Sequence, residues 1–224
     1  MLVNLYKTGV VMQLVLFLAA CDQSKQPAAA QSVDTIKTPM QTESLSPVAE
    51  EQKTAQTGTA VSAFILPGYS LLDTTTGDLN GDLYPDKLLV LKKQGEDTTS
   101  DVVDHPEKRP LLVLTGQADG TYRLAARNDN VVLCVDCGGV MGDPYVELVI
   151  KNSYFSVELA GGSSWRWTRT VTFKYAPGEQ DWFLFKDGRQ SFHASEPEKI
   201  ETKLLTKKDF GQVSFKQFDV YKDQ

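Results

Sequence analysis

The most regular pattern in the chain is the two-residue alternation over Trp165–Tyr175. Trp165, Trp167, Arg169, Val171, Phe173 and Tyr175 fall on one side, and Arg166, Thr168, Thr170, Thr172 and Lys174 on the other. Successive side chains of a strand point to opposite faces, so this pattern predicts a strand with a wide apolar face inward and a Thr-rich face to water. Tyr122–Ala126 and Val146–Ile150 alternate in the same way, and Lys87–Leu91 and Leu111–Leu114 are short runs rich in Leu and Val. Asn152-Ser153 separates two strand-like runs. Asp187-Gly188 stands between Trp182–Lys186 and Arg189–His193 and predicts a two-residue hairpin turn. Lys199–Phe210 is the one segment that predicts a helix. Turn residues recur roughly every 8–12 positions, so the expected fold is all-β and mainly antiparallel, sandwich- or partial-barrel-like, with about eight to ten strands and at most one short helix.

The N-terminal sixty residues follow a different pattern. Lys7 precedes a mostly apolar run from Gly9 to Ala20, interrupted only by Gln13, shorter than the roughly 20 residues of a spanning helix and typical of a secretory signal. Leu18-Ala19-Ala20-Cys21 resembles the bacterial lipobox, which implies a signal peptide over 1–20, acylation of Cys21 as the new N-terminus, and a lipid anchor. Asp22 resembles the inner-membrane retention signal of enterobacterial lipoproteins, which favours the inner over the outer membrane and a periplasm-facing protein. Residues 22–60 contain no aromatic side chain and scatter Pro27, Pro39 and Pro47 among Gln, Ala, Thr and Ser. Such a stretch cannot bury enough apolar surface to offset its ordering entropy, and it predicts a disordered tether with a reach of about 35 Å. Every aromatic residue after Phe17 lies in 61–224, enough chain for one β-rich domain with a well-buried core.

Charge narrows the partners. Twenty-three Lys and Arg against 29 Asp and Glu leave a net charge of −6, which argues against nucleic acid, whose recognition depends on clustered cations. The same acidity suits a basic protein partner.

The chemistry is concentrated in Gly77-Asp78-Leu79-Asn80-Gly81-Asp82-Leu83-Tyr84-Pro85-Asp86. Counting Asp78 as the first position, side-chain oxygens fall on the first, third, fifth and ninth (Asp78, Asn80, Asp82 and Asp86), with the Tyr84 carbonyl at the seventh. Calcium requires six to eight oxygens, and alternate oxygens in a tight loop can wrap around one point. The stretch resembles the calcium loops of FG-GAP and VCBS-type repeats, in which an Asp-rich turn feeds a strand. Two departures stand out. Leu83 occupies the sixth position, usually Gly because the chain turns there with positive φ, and Leu89 stands where an EF-hand would place a bidentate Glu. An Asx-rich turn held by its own side-chain hydrogen bonds is the alternative. The motif occurs once, without the repeat period of 40–50 residues that a propeller requires.

Cys134-Val135-Asp136-Cys137 leaves two thiols besides Cys21, which in an exported protein most simply form one disulfide. A thioredoxin-like redox pair is the rival, although Asp136 between the thiols would raise their pKa. Gly161–Trp167 (GGSSWRW) suits either a sugar-stacking platform or an ordinary β core. Motifs for a nucleophile elbow, a zincin or a phosphate loop are missing from the sequence. The combined expectation is a membrane-anchored cell-envelope lipoprotein acting as a non-enzymatic, calcium-stabilised binding module. The alternatives are an immunity or inhibitor protein against an envelope-directed toxin, and a thiol-disulfide oxidoreductase using Cys134 and Cys137.

Overall fold

The computed structural model describes residues 56–222; the signal segment, Cys21, Asp22 and the tether up to residue 55 lie outside them. The described chain is all-β. Ten strands form two antiparallel meanders: β1 (Thr57–Gly58), β2 (Tyr69–Gly77), β3 (Asp86–Lys93), β4 (Arg109–Gly116) and β5 (Tyr122–Val132), then β6 (Tyr145–Lys151), β7 (Tyr154–Gly162), β8 (Trp165–Ala176), β9 (Asp181–His193) and β10 (Glu201–Thr206). The first sheet runs β1-β5-β4-β3-β2 and the second β10-β9-β8-β7-β6. Two single-turn α-helices, α1 (Glu96–Thr99) and α2 (Lys207–Phe210), stand where at most one was expected. None of the described helices is long and apolar enough to cross a membrane.

The apolar runs of β3 and β4 do not alternate because both faces of their sheet are covered, as continuous runs require. Leu88, Val90, Leu111 and Val113 point into the core between the sheets, against Phe155, Val157, Val171 and Phe173. Leu89, Leu91, Leu112 and Leu114 point the other way and are covered by Phe64, Val61 and Ile65. The core is closed on one side where Tyr145 Oη of β6 donates to Asp73 Oδ2 of β2 at 2.6 Å. On the other side the C-terminal segment inserts Phe215, Phe218 and Val220, all buried. Asn128 Nδ2 of β5 holds that segment by donating to the Phe215 and Phe218 carbonyls, and the Leu184 N–H of β9 donates to the Val213 carbonyl at 2.8 Å.

The structure corrects two local expectations. Asp187-Gly188 is not a turn: β9 runs through it without a break, Val171 pairing with Asp187 and Thr170 with Gly188, and the irregularity is a bulge between the Thr172 and Phe173 pairs. Lys199–Phe210 is not a helix over its length. Glu201–Thr206 pairs with Ser191–Lys186 as edge strand β10, and only the turn capped by Thr206 and Asp209 is helical. A free sheet edge outweighs local helix propensity here, because ladder bonds are available only in tertiary context. On β8 the apolar face does turn inward, but Thr172 of the other face is buried too, where its Oγ1 lies 2.8 Å from Ser156 Oγ. Asn152-Ser153 behaves as expected: both residues have positive φ, 51° and 61°, and they link β6 to β7.

Candidate functional site: an Asp-rich loop and an opposite apolar end

The antiparallel order sorts the connections into two ends. At one end lie the Asp-rich loop between β2 and β3, the β4–β5 turn, the Asn152-Ser153 turn and the β8–β9 turn. Gly77 packs on Ile150 there, which places the ends of the two sheets together. At the other end lie residues 94–108, 133–144, 163–164 and 194–200.

In the Asp-rich loop the side chains of Asp78, Asn80, Asp82 and Asp86 each accept a backbone N–H, and Asp82 Oδ2 also accepts from Asn80 Nδ2 at 2.7 Å. Asp78 accepts the Gly81 N–H at 2.7 Å and the Leu83 N–H at 3.3 Å, Asn80 accepts the Asp82 N–H at 3.0 Å, and Asp82 accepts the Tyr84 N–H at 2.9 Å. Leu83 turns with φ of 72° while its side chain stays 89% exposed. The resembled calcium loops place Gly at this position because it turns with positive φ, and here the chain adopts that conformation with Leu. Asp86 is different in kind. It is fully buried, and it ties the loop to two strands by accepting the Leu79 N–H at 2.8 Å and the Gly116 N–H at 2.9 Å. Burial pushes its carboxyl above the ordinary value, the two N–H bonds pull it back, and Asp82 and Asp78 push it further up. It has no cationic partner among the described residues. The loop's acids do not converge as tightly as a closed site: the described group of three whose ligand atoms all lie within 4.8 Å is Cys134, Asp136 and Cys137, with both sulfurs in a disulfide.

At the opposite end Cys134 and Cys137 are bonded to each other. Cys134 is completely buried, and Asp136 between them accepts the Ser100 hydroxyl at 2.7 Å. Beneath this loop Arg109 of β4 joins two connections. Its Nη2 donates to Glu96 Oε1 at 2.6 Å and Asp143 Oδ2 at 2.7 Å, and its Nη1 to Asp143 Oδ1 at 2.7 Å. Burial alone would push the guanidinium down, but the Asp143 and Glu96 bonds outweigh it and hold it above its ordinary value. Sequence reasoning missed this triad, since its members lie far apart in the chain and none belongs to a motif. Its effect is to fasten the 94–108 and 133–144 connections rigidly to the sheet.

The GGSSWRW segment divides its two tryptophans. Trp167 is half-buried on the core, its ring so close to Gly161 that a Cβ there would lie 2.5 Å from it, which is why glycine occupies the site. Trp165 stays 57% exposed, its ring edge-on to His193 at 5.4 Å between centroids. It shares a cleft with Ile200, Glu196, Glu198 and Glu201. The neighbouring loop is bound to this one through the Gly162 N–H donating to the Gly138 carbonyl at 2.8 Å, and it carries exposed Val140 and Met141. Four apolar side chains with an acidic rim therefore crown one end, on loops held by backbone bonds and the Arg109 triad. His193 Nδ1 lies 2.7 Å from Ser195 Oγ, but it also accepts the Ser195 N–H at 3.3 Å, which marks a turn-stabilising contact, and among the described residues no carboxylate is bonded to the imidazole. Compared with protein-family models, curated proteins and solved structures, the chain gives no match.

Proposed function

We propose that the chain is a cell-envelope lipoprotein, anchored through Cys21, whose folded part is a non-enzymatic binding module stiffened by calcium. The observation that carries this reading is that Val140, Met141, Trp165 and Ile200 are each exposed on loops at the same end of the molecule, Trp165 and Ile200 sharing one cleft. Exposed apolar groups rimmed by charge are what a protein-binding surface presents before it is covered. Glu196, Glu198 and Glu201 at the rim suit a cationic partner, which is why an immunity or inhibitor protein is the narrower form of the same reading. The thiol oxidoreductase ranks behind it: Cys134 is fully buried, so attack on the disulfide could come only at the half-buried Cys137.

Calcium would be held by Asp78, Asn80, Asp82, the Tyr84 carbonyl and Asp86, and its chemistry there is to neutralise carboxylates and draw them to one point. The donor set fits, being all hard oxygens on a turn with the required positive φ at Leu83, and buried Asp86 is the group with most to gain.

Affinity capture from envelope extracts tests the binding reading, with the native chain and a Trp165→Ser/Ile200→Ser variant as baits. A protein retained by the native chain and lost with the variant is expected; identical captures by both overturn the assignment of the face. Anchoring is tested by Cys21→Ser, expected to abolish lipid labelling and leave unprocessed precursor. A mature, membrane-bound Cys21→Ser protein would refute the lipobox.

A further inference from the structure

Against a net charge of −6, four lysines gather around one groove beside the second sheet, while Glu147 and Glu158 occupy the far part of the same sheet face. Lys174 of β8, Lys186 of β9 and Lys207 and Lys208 of α2 line a groove of about 690 Å³, and all four are exposed. None of them takes part in an ion pair among the described residues. The acids nearby are occupied: Glu179, the one acid lining the groove, holds Gln212 Nε2 at 2.9 Å, Asp209 accepts the Thr206 N–H at 2.8 Å, and Asp181 pairs with Lys216 at 3.1 Å. Between the lysines the groove presents apolar surface. Phe185 is 45% and Leu204 58% exposed, with Phe185 packed edge-on to Tyr154 at 4.9 Å between centroids. The result is amphipathic: cations around side chains that can enter an interfacial layer.

The position of the groove selects its occupant. It lies beside the β8–β9 turn, at the end of the molecule that carries the Asp-rich loop. Gln56, Thr57 and Gly58, the first described residues, lie alongside Leu124, Arg123 and Tyr122 near this end, with β1 running towards it antiparallel to β5. The Trp165 crown faces the opposite way. We infer that the groove of Lys174, Lys186, Lys207 and Lys208 rests on the anionic headgroup surface of the bilayer, orienting the domain with its apolar crown away from the membrane. The inference rests on the anchored reading above. Acyl chains on Cys21 would hold the chain to the bilayer but leave the domain's orientation open, and a basic patch near an anionic surface adds about 1 kcal/mol per Lys, a factor of about five, toward one orientation. A protein of net negative charge is repelled by anionic lipid unless it turns its cationic face to it.

The test uses the chain from residue 21 onward with Cys21→Ser, so that no acyl chain contributes, and its outcome is independent of lipid labelling of native Cys21. It is sedimented with vesicles of phosphatidylcholine alone and of phosphatidylcholine with about one-third phosphatidylglycerol, at low ionic strength. Binding to the anionic vesicles only, lost on adding salt, is expected. Each Lys→Gln change among Lys174, Lys186, Lys207 and Lys208 should weaken partitioning by about fivefold, and the fourfold variant should not sediment. Phe185→Ser/Leu204→Ser should weaken binding that remains salt-sensitive. Equal binding to both vesicle types, no binding to either, or undiminished binding by a correctly folded fourfold variant overturns the proposal. Binding of poly-glutamate in place of vesicles would instead give the groove to an acidic protein segment.

Discussion

Asp187 sits in the middle of β9 as the counter-charge of Arg169 on β8. Its Oδ1 accepts from Arg169 Nε at 3.0 Å and its Oδ2 from Nη2 at 2.8 Å, a two-point contact between side chains 7% and 3% exposed. Arg189 adds a donor to Oδ2 at 2.8 Å, and Arg169 Nη1 reaches the Val220 carbonyl at 3.1 Å, so the pair also fastens the C-terminal segment over the core. This is why Asp187-Gly188 reads as a turn in sequence and is a strand in the fold.

Removing one partner strands the other. Asp187→Ala should cost about 3–5 kcal/mol, because Arg169 would remain buried without a counter-charge, whereas Arg169→Leu/Asp187→Leu should recover most of that loss. Burial pushes the Asp187 carboxyl up, but the Arg169 and Arg189 bonds prevail and hold it below its ordinary value. Its contribution to stability is therefore complete above the ordinary carboxylate range, near pH 4, and lost as pH falls through the lower folded value. Urea unfolding between pH 7 and pH 3 measures this; the acid-side loss should vanish in the double variant.

Leu83 pays for its left-handed backbone without burying its side chain. A non-glycine residue there costs about 1–2 kcal/mol in the folded state, partly offset by the greater unfolded-state entropy of glycine. Leu83→Gly should therefore raise stability by about 0.5–1 kcal/mol, read as a higher urea midpoint with an unchanged slope. A lower midpoint would mean that the exposed Leu83 side chain makes a contact the fold depends on.

Calcium binding to the folded chain should raise stability by about 1.4 kcal/mol when calcium is tenfold above Kd. For a domain of this size that is a rise in Tm of about 3–6 °C, absent in chelator and absent from Asp82→Ala. Asp86 supplies an independent sign. Its carboxyl is raised by burial, so in chelator its contribution is present below about pH 4 and lost as pH rises through the raised folded value. Calcium should abolish that loss. Identical melts with and without calcium would return the loop to an Asx-rich turn.

Much of the architecture was legible because its causes are local. The alternation of Trp165–Tyr175, the Asn152-Ser153 turn and the apolar runs at Lys87–Leu91 and Leu111–Leu114 each follow from the two-residue period of a strand or from backbone conformations that Asn tolerates. The positive φ at Leu83 was not legible in this way: Leu83 stands as a departure from the resembled loops, which have Gly there, and the fold adopts the conformation regardless. What tertiary structure alone decided involves partners distant in sequence. Asp187 is held within β9 by Arg169, which reaches it diagonally from β8, and Glu201–Thr206 becomes a strand because β9 offers an open edge. Arg109, Glu96 and Asp143 meet only when two connections converge on β4, and Leu89 and Leu112 are buried only because residues 61–66 return to cover them. A buried charge takes its identity from the opposite charge across the sheet, and no pattern within a dozen residues can carry that pairing.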